Sequence, residues 1–329
     1  MRSLVCWQVV SKMTAWRFWC GAGILLLAAC TVLGKGQGID HVGIAVRDLE
    51  GAKREYRDML GFTLAPGGKH PHGTANATIA FADRTYLELL TFYDRTQASW
   101  LADFLEKQEG MCLLGLATSS ADQTAAFLRS RGFELDGPTG GTITIEGAQD
   151  TPPELWRVVG FKPALLPDTA VFFIEYNRKA WEELQRKSPG VAPAGATRHA
   201  NTAKRVASVW VVVKDLAAAT KVYESVGLRA GRKLELSQLG ADGREMEVGQ
   251  GVILLLQSKD TGGPVASFLA KRGEGLMGVS IEVGQLETAR KVIETNTKEQ
   301  FLLYAGPYGQ SLLIAGEVTR GAWMEMFQK

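Results

Sequence analysis

The amino-acid sequence predicts an α+β protein made of four βαβββ modules that pair into two half-barrels. Three observations predict this fold. A strand followed by a helix recurs along the chain, the recurring helices begin and end with matching capping residues, and a segment rich in Pro, Gly and Ala divides the copies into two pairs. The chain has 329 residues, a length that suggests about two domains.

The clearest repeat joins His41–Phe62 (HVGIAVRDLEGAKREYRDMLGF) to Ser208–Leu228 (SVWVVVKDLAAATKVYESVGL). Each copy begins with an alternating strand and continues with apolar residues at helical spacing. Asp48 and Asp215 stand at the two helix starts, where a carboxylate accepts hydrogen bonds from free backbone amides. A glycine closes each helix. We therefore expect both segments to fold as a strand, a capped helix and a meander of short strands.

Two fainter copies complete the set. Leu113–Phe133 leads to AVFFIEYN, and Gly278–Asn296 leads to FLLYAGPYGQSLLIAG. In each copy a strand pattern precedes a helical one, as in the clearer repeats. The modules are thus expected to begin near Ile39, Met111, Arg205 and Leu276.

The spacing of the modules predicts the domain boundaries. Residues 1–38 form a leader, 39–177 the first module pair, 178–205 a linker and 206–329 the second pair. The stretch from Ser188 to Arg205 carries the Pro, Gly and Ala residues typical of a linker. A shorter polar connector is expected between Asp94 and Gly110, inside the first pair.

The leader has the features of an export signal. Basic residues precede an apolar run at 18–34, which is short for a membrane span but typical of a signal peptide. Within it, Leu27–Cys30 (LAAC) resembles a bacterial lipobox, so Cys30 is the expected lipidation site. We expect an exported lipoprotein, anchored to the membrane and facing the periplasm or exterior; a cleaved, secreted form and an uncleaved anchor are the alternatives. Only Cys112 would then remain as a free thiol, so no disulfide framework is expected.

Composition excludes several classes of protein. The chain is 46% apolar and 22% charged with a net charge of +2, which argues against a disordered or polytopic membrane protein. No basic stripe with interleaved aromatic residues occurs, so a nucleic-acid partner is not expected. The sequence leaves the oligomeric state open.

Three motifs of the first pair occur in the order that is typical of a known protein family. IDHVGIAVRDL, PGGKHPHGTAN and YLELL together resemble the glyoxalase-like domain family of the vicinal oxygen chelate superfamily. The likeness extends from Ile39 to about Asn177, whereas the second pair shares only the pattern of the fold. The resemblance implies that each module pair forms a vicinal oxygen chelate half-barrel around a cleft.

The resemblance also implies a divalent metal, bound by residues on the first and last strands of the modules. The matching positions are His41, Glu88 and Glu175, while the fourth falls on Cys112 or Leu113 and lacks a usual ligand. One imidazole and two carboxylates suit Zn, Ni, Mn, Fe or Mg, so the metal stays unidentified.

The residue pattern agrees with a cleft floor at His41. Along the first strand one face is bulky, and the other carries His41 with two small neighbours. Glu88 and Glu175 lie in apolar strands, where a carboxylate is costly to bury unless it is paired, metal-bound or protonated. The bulky face of the first strand consists of Val42, Ile44 and Val46. The alternatives to a metal site are a metal-free polar site and a purely structural role for the histidine and the two glutamates.

The Gly-rich segment from Pro66 to Asn76 offers candidate substrate contacts. Its polar side chains could bind an anionic substrate or act as acid and base, or they could belong to an exposed hairpin loop. The candidates are Lys69, His70, His72 and Asn76, together with Tyr86 beside the expected metal site.

The second pair is expected to be inactive. Ser208 stands at the position of His41, and the strands near Leu254 and Leu313 lack a carboxylate. Trp210 replaces Gly43 and would fill the second cleft. One active centre per chain follows.

The resemblance implies a metal-dependent lyase or isomerase of the glyoxalase type. The metal would hold two neighbouring oxygens of a small substrate and favour an enediolate, while Glu88 or Glu175 would act as general base and carry the proton. The main alternative is a metal-free protein that sequesters a small molecule in the same cleft. An extradiol dioxygenase is less favoured, because such iron sites usually need two histidines.

Overall fold

The computed structural model describes residues 38–148 and 150–329. The leader, with the proposed lipidation site Cys30, lies outside the described residues. Among the residues described, no helix combines the length and apolar character that crossing a membrane requires.

Seventeen strands and seven α-helices make up the described chain. The strands are β1 (Ile39–Ala45), β2 (Gly68–Lys69), β3 (Thr74–Ala80), β4 (Tyr86–Phe92), β5 (Gly110–Ala117), β6 (Leu135–Gly141), β7 (Thr144–Ile145), β8 (Trp156–Phe161), β9 (Ala170–Tyr176), β10 (Ala203–Val212), β11 (Arg229–Leu236), β12 (Ala241–Val248), β13 (Gly251–Ser258), β14 (Gly275–Val283), β15 (Leu303–Gly306), β16 (Gly309–Ile314) and β17 (Trp323–Gln328). The helices are α1 (Leu49–Arg54, continued by a π-helical turn over Glu55–Met59), α2 (Ser99–Lys107), α3 (Ala121–Ser130), α4 (Arg178–Lys187), α5 (Leu216–Ser225), α6 (Gly263–Arg272) and α7 (Leu286–Thr297).

The strands form two curved sheets, one for each module pair. The first sheet has the order β6-β8-β9-β5-β1-β4-β3-β2-β7, and the second has the order β11-β12-β13-β10-β14-β17-β16-β15. In every module the first and last strands pair in parallel, and the first strands of two modules meet antiparallel at the centre of each sheet. The prediction of four modules in two pairs is therefore confirmed.

The repeated helices form where the sequence predicts. Asp48 accepts a hydrogen bond from the Gly51 amide at 2.9 Å, and Asp215 accepts one from the Ala218 amide at 2.9 Å. These bonds satisfy amides that the first helical turn leaves free. Each helix then packs its apolar side onto the bulky face of its sheet.

One hydrophobic core runs through both module pairs on the helix-bearing sides of the sheets. Val42 and Ile44 of β1, Val209 and Val211 of β10 and Val279 of β14 all belong to it. The opposite, concave faces are separate from this core. Helix α2 covers one end of the first concave face, and α6 packs into the second.

Two connecting regions and one strand differ from expectation. The segment predicted as a polar connector contains α2, whose residues Leu101, Phe104 and Leu105 are buried against the first sheet. The predicted linker contains α4, which packs Leu184 on β7 and β8 residues. The last strand of the fourth module is β17, not the SLLIAG segment, which forms β16.

His199, for which the sequence suggested no role, lies in the linker and contacts the first module. Its ring packs edge-on against Phe62 and Phe81. Its Nδ1 accepts a hydrogen bond from the Thr63 amide, so Nε2 carries the proton and donates to the Ala80 carbonyl. Burial lowers the pKa of His199, which agrees with a neutral structural histidine.

Candidate functional site

His41 lies on the concave floor of the first sheet, where the alternation of β1 predicts it. A β-bulge occurs beside it, because Ile39 pairs with Leu116 while His41 already pairs with Gly115. Such bulges re-aim side chains, and here Asp40 turns toward the ring of His41. Gly115 makes room for that ring, since a Cβ at this position would come within 2.5 Å of it.

Asp40 anchors one side of the imidazole. Its Oδ1 accepts hydrogen bonds from His41 Nδ1 at 2.6 Å and from the Tyr176 hydroxyl at 2.9 Å. Tyr86 stacks on His41 with ring centroids 4.5 Å apart. Because Tyr176 donates to Asp40, the Tyr86 hydroxyl donates to that of Tyr176, at 3.2 Å. This chain of donors fixes the orientation of His41 and leaves Nε2 facing the cleft.

The surroundings of His41 favour its protonated form. Burial opposes the charge, but the hydrogen bond to Asp40 and the negative charges of Asp40 and Glu88 outweigh it, so the pKa of His41 is raised. The exposed fraction of His41 is only 3%. The site therefore holds a buried imidazole between two carboxyl groups, in surroundings that raise its pKa.

Glu88 lies on the other side of this imidazole. Its Oε2 is 3.9 Å from His41 Nε2, and its Oε1 accepts a hydrogen bond from Asn76 Nδ2 at 2.6 Å. Glu88 is 5% exposed. The structure thus brings together four of the candidate residues: His41, Glu88, Asn76 and Tyr86.

Glu175, the third expected metal ligand, lies on the opposite face of the sheet. Its Oε2 accepts a hydrogen bond from the backbone amide of Ala121, at the start of α3. The residues of β9 that face the cleft are Phe172, which contacts the His41 ring, and Tyr176. The expected set of His41, Glu88 and Glu175 is therefore not assembled. Side chains alternate between the two faces along β9, and Glu175 takes the face opposite the cleft.

The loop residues divide into inner and outer positions. His70 is buried, stacks on His72 with centroids 5.1 Å apart, and meets Trp156 edge-on at 6.0 Å. Burial lowers the pKa of both histidines. Lys69 lies outside this group, with its ammonium 5.1 Å from the centroid of the Tyr93 ring.

A cavity of about 500 Å³ opens next to His72. Its lining does not include His41 or Glu88. His70 stacks on His72, and the negative charge of Glu88 acts on the pKa of both histidines. The cavity is lined by Pro71, His72, Gln97, Gly140, Gly141, Thr142 and Pro153.

The donor set does not fit the metal centre that the fold family implies. A resident catalytic metal usually has three protein ligands and one open position. Among residues 38–148 and 150–329, no three His, Cys, Asp or Glu side chains are grouped to hold a metal ion. The concave face supplies His41 and Glu88. Cys112, near the fourth ligand position, is buried and turns its thiol toward the Gly43 carbonyl at 3.7 Å.

The cleft of the second pair is filled. Trp210 is completely buried there, as expected, and its Nε1 donates to Ser280 Oγ at 2.9 Å. Ser280 donates in turn to Glu325 Oε2 at 2.6 Å, and the Tyr304 hydroxyl donates to Oε1 at 2.7 Å. The strands near Leu254 and Leu313 lack a carboxylate, as expected, but the last strand of the fourth module is β17 instead, and it carries Glu325. Burial raises the pKa of Glu325 despite these hydrogen bonds.

Two residues of the site, Asp40 and Tyr176, were missed from the sequence. An acid directly before the histidine of a strand start was the available signal for Asp40. For Tyr176 the signal was weak, since β9 is apolar on both faces and its phase cannot be read from alternation.

Comparisons with known proteins agree with this fold. A model of the glyoxalase-like domain family matches residues 39–227. A hypothetical protein from Staphylococcus aureus has a TM-score of 0.58 at 13% identity, over 89% of this chain and 99% of that one. A variant of 4-hydroxymandelate synthase from Streptomyces coelicolor has a TM-score of 0.60 at 14% identity, over 89% of this chain and 92% of that one. The comparison with curated proteins gave no match. At these identities the structural likeness establishes the fold alone.

Proposed function

This chain belongs to the glyoxalase-like domain family, and we propose that its first module pair catalyses proton transfer on a small carbonyl compound, as an isomerase or lyase. The observation that carries the proposal is the buried Asp40–His41–Glu88 arrangement on the cleft floor. A carboxylate beside an oriented imidazolium supplies both partners that enolisation needs, a base for the carbon-bound proton and a donor for the oxygen.

Glu88 is the proposed base. Asn76 holds one carboxylate oxygen at 2.6 Å and leaves the other facing His41 Nε2. In the proposed reaction Glu88 Oε2 takes the proton from the carbon next to the carbonyl, whose electron pair moves onto the carbonyl oxygen. His41 Nε2–H donates to this oxygen. In an α-hydroxy carbonyl substrate, His41 gives its Nε2 proton to the carbonyl oxygen and then takes the proton of the neighbouring hydroxyl, while Glu88 returns the carbon-bound proton to the former carbonyl carbon, which gives the isomer. If the β-carbon bears a leaving group, its departure with the bonding electron pair re-forms the carbonyl and gives the lyase product instead.

His41 would thus supply the positive charge that stabilises an enediolate. Burial lowers the pKa of His41, but the hydrogen bond and charge of Asp40 and the charge of Glu88 raise it overall, which favours the donor form that the proposal needs. Asp40 fixes the ring through Nδ1 and acts as a positioning residue. The cavity beside His72 offers the space for the rest of the substrate.

The test is deuterium incorporation from D₂O into hydroxyacetone and dihydroxyacetone, followed by NMR. We expect exchange at the carbon next to the carbonyl, which is lost in Glu88→Gln and in His41→Ala but kept in Glu175→Gln, because Glu175 faces away from the cleft. Exchange that survives Glu88→Gln would refute the assignment of the base.

Metal chelation is the second candidate mechanism. The hydrogen bond from His41 Nδ1 to Asp40 supports it, since metal-bound histidines commonly hold a carboxylate in this way. It requires further ligands beyond His41 and Glu88. Stoichiometric Zn, Ni, Mn, Fe or Mg in the purified protein, lost in His41→Ala, would establish it, and exchange unaffected by EDTA would rule it out.

A metal-free protein that only sequesters a small molecule is the third candidate. It would bind ligand in the same cleft without exchanging any proton. Ligand binding that is saturable while the deuterium assay stays negative for a broad panel of ketones and aldehydes would favour it. Membrane attachment through Cys30 remains a separate proposal, tested by the loss of membrane-bound protein in Cys30→Ser.

A further inference from the structure

Asn76 lies on β3 beside the proposed base Glu88, and both ends of its side-chain amide are engaged. Its Oδ1 accepts a hydrogen bond from the Gly68 amide at 2.9 Å, and its Nδ2 donates to Glu88 Oε1 at 2.6 Å. A backbone N–H can only donate, so the oxygen of the Asn76 amide must face Gly68. The nitrogen is thereby directed at Glu88, and this buried side chain has a single orientation.

The hydrogen bond from Asn76 makes the two oxygens of Glu88 different. Oε1 is engaged as an acceptor, while Oε2 lies 3.9 Å from His41 Nε2. A hydrogen bond from an amide to a carboxylate is stronger than one between neutral groups, so it holds the carboxylate in one rotation. Oε2 is therefore the oxygen left to receive a proton from the carbon of the substrate.

Two glycines allow the backbone to come close enough to orient Asn76. A Cβ added at Gly67 would overlap the backbone carbonyl oxygen of Asn76. A Cβ added at Gly68 would overlap the Thr144 carbonyl oxygen and lie 2.8 Å from Ile143 Cγ1. The segment is thus enclosed between β3 and β7, and a larger residue would displace the Gly68 amide from Asn76.

Strand β7, which encloses Gly68 from the other side, belongs to the second module. It pairs antiparallel with β2, so that Ile145 stands opposite Gly68. Ile143 and Ile145 are buried in a small hydrophobic cluster that also contains Leu184 of helix α4. The second module and the linker helix therefore hold the Gly68 amide in place.

We propose that Asn76 and Gly68 are positioning residues for Glu88, through which strand β7 of the second module sets the oxygen that takes the proton. Asp40 has the corresponding role for His41, whose Nδ1 it holds at 2.6 Å. Acid and base are thus each held on the side that faces away from the other. The kinetic part of this inference rests on the proposed function, whereas the orientation of Asn76 does not.

The first test compares kcat and KM for deuterium exchange into hydroxyacetone in the unmodified chain, Asn76→Asp and Asn76→Leu. Asn76→Asp keeps the shape and an acceptor for the Gly68 amide, but it replaces the donor to Glu88 by a second carboxyl group. We expect kcat to fall by about 100-fold in both variants, as for a reacting group misplaced by about 1 Å. KM should stay unchanged, because Asn76 acts on Glu88 and not on the substrate. A purely structural role would leave kcat in Asn76→Asp near normal.

The second test needs no substrate, because it follows the side-chain NH₂ signals of Asn76 by ¹⁵N NMR in the full chain. The proton that faces Glu88 should lie downfield of ordinary Asn side chains, since charge-assisted hydrogen bonds are short. Glu88→Gln should move this signal upfield. Gly68→Ala changes no polar group, yet it should also move the signal and lower kcat without changing KM.

Thr78→Val is the matched control. Thr78 lies directly opposite Glu88 on the same strand as Asn76, but the side-chain hydrogen bond to Glu88 comes from Asn76. This variant should keep the Asn76 signals and the kcat of the unmodified chain. Urea titration identifies the variants that remain folded, and the comparison uses those.

Three results would overturn the inference. The first is a near-normal kcat in folded Asn76→Asp, and the second is an Asn76 signal that does not move in Gly68→Ala. The third is a Thr78→Val variant that changes kcat and the Asn76 signals as much as Gly68→Ala does. If the unmodified chain exchanges no deuterium, the proposed function fails, while the NMR signals in Gly68→Ala and Glu88→Gln still decide whether Gly68 and Asn76 orient Glu88.

Discussion

Gly115→Ala gives a sharp test of the proposed site, because Gly115 leaves the space that the His41 ring occupies. An added Cβ would lie 2.5 Å from His41 Cε1 and 2.6 Å from Nδ1. Ordinary van der Waals contact begins at 3.4 Å, so the ring has to retreat by the difference, 0.9 Å. The hydrogen bond to Asp40 is 2.6 Å long, and a shift of this size breaks or distorts it.

The expected loss is large for activity and moderate for stability. Overpacking of a buried site costs about 1–3 kcal/mol. A displacement of about 1 Å at a reacting group lowers rates by about 100-fold. We therefore expect deuterium exchange into hydroxyacetone to fall by about 100-fold, and the pKa of His41 to fall as it loses Asp40, measured by NMR titration of the imidazole.

Gly160→Ala is the matched control. Gly160 also lies in a strand of the first sheet, β8, but an added Cβ there meets nothing within 4 Å. It should leave both exchange and the His41 titration unchanged. Normal exchange in Gly115→Ala, with a folded protein by urea titration, would refute the reasoning that the placement of His41 controls the reaction.

Further predictions concern protonation, hydrogen bonding and thiol reactivity. Asp40→Asn should lower the pKa of His41, so the alkaline fall in exchange moves to lower pH. Because the pKa of His41 is raised in the folded protein, its protonation stabilises the fold at acidic pH, and this stabilisation is lost as the pH rises through the pKa. The free energy of unfolding, measured by urea titration, should therefore fall over this pH range in the unmodified chain and fall less in Asp40→Asn. Tyr56→Phe should destabilise the protein by about 1 kcal/mol, because the Tyr56 hydroxyl donates a hydrogen bond to the Thr319 carbonyl. Tyr223→Phe should cost less than about 0.5 kcal/mol, because the buried Tyr223 hydroxyl has no hydrogen-bond partner among the described residues; equal losses would contradict this difference. Cys112, whose pKa burial raises, should react with a disulfide reagent only after unfolding.

The features that the sequence predicted well are those with local physical causes. The alternation of β1 required a sheet with one bulky face, and it placed His41 on the other face. The N-cap residues Asp48 and Asp215 fixed where helices start, because free amides need acceptors. These local rules were enough to locate the module starts and the floor of the first cleft.

The features that could not be predicted depend on phase and long-range pairing. Residues 170–176 are apolar on both faces, so alternation does not say which of Glu175 and Tyr176 faces the cleft. The bulge at Asp40 arises from the register between β1 and β5, which separate segments set together. Glu325 was missed because β17 follows a turn after β16, and its parallel partner β14 is distant in sequence.

The two clefts differ at one equivalent position of the fold, which holds a glycine in the first module pair and a tryptophan in the second. Gly43 in β1 and Trp210 in β10 occupy equivalent places, each paired with the last strand of its module. The glycine carries no side chain, and Leu113 packs over it, since an added Cβ would lie 2.9 Å from the Leu113 Cβ. Glu88 and His41 lie near each other on this floor. The tryptophan instead fills the second floor and draws Ser280 into a hydrogen bond. A buried carboxylate can then persist only with donors around it, and Glu325 has them in the hydroxyl groups of Ser280 and Tyr304.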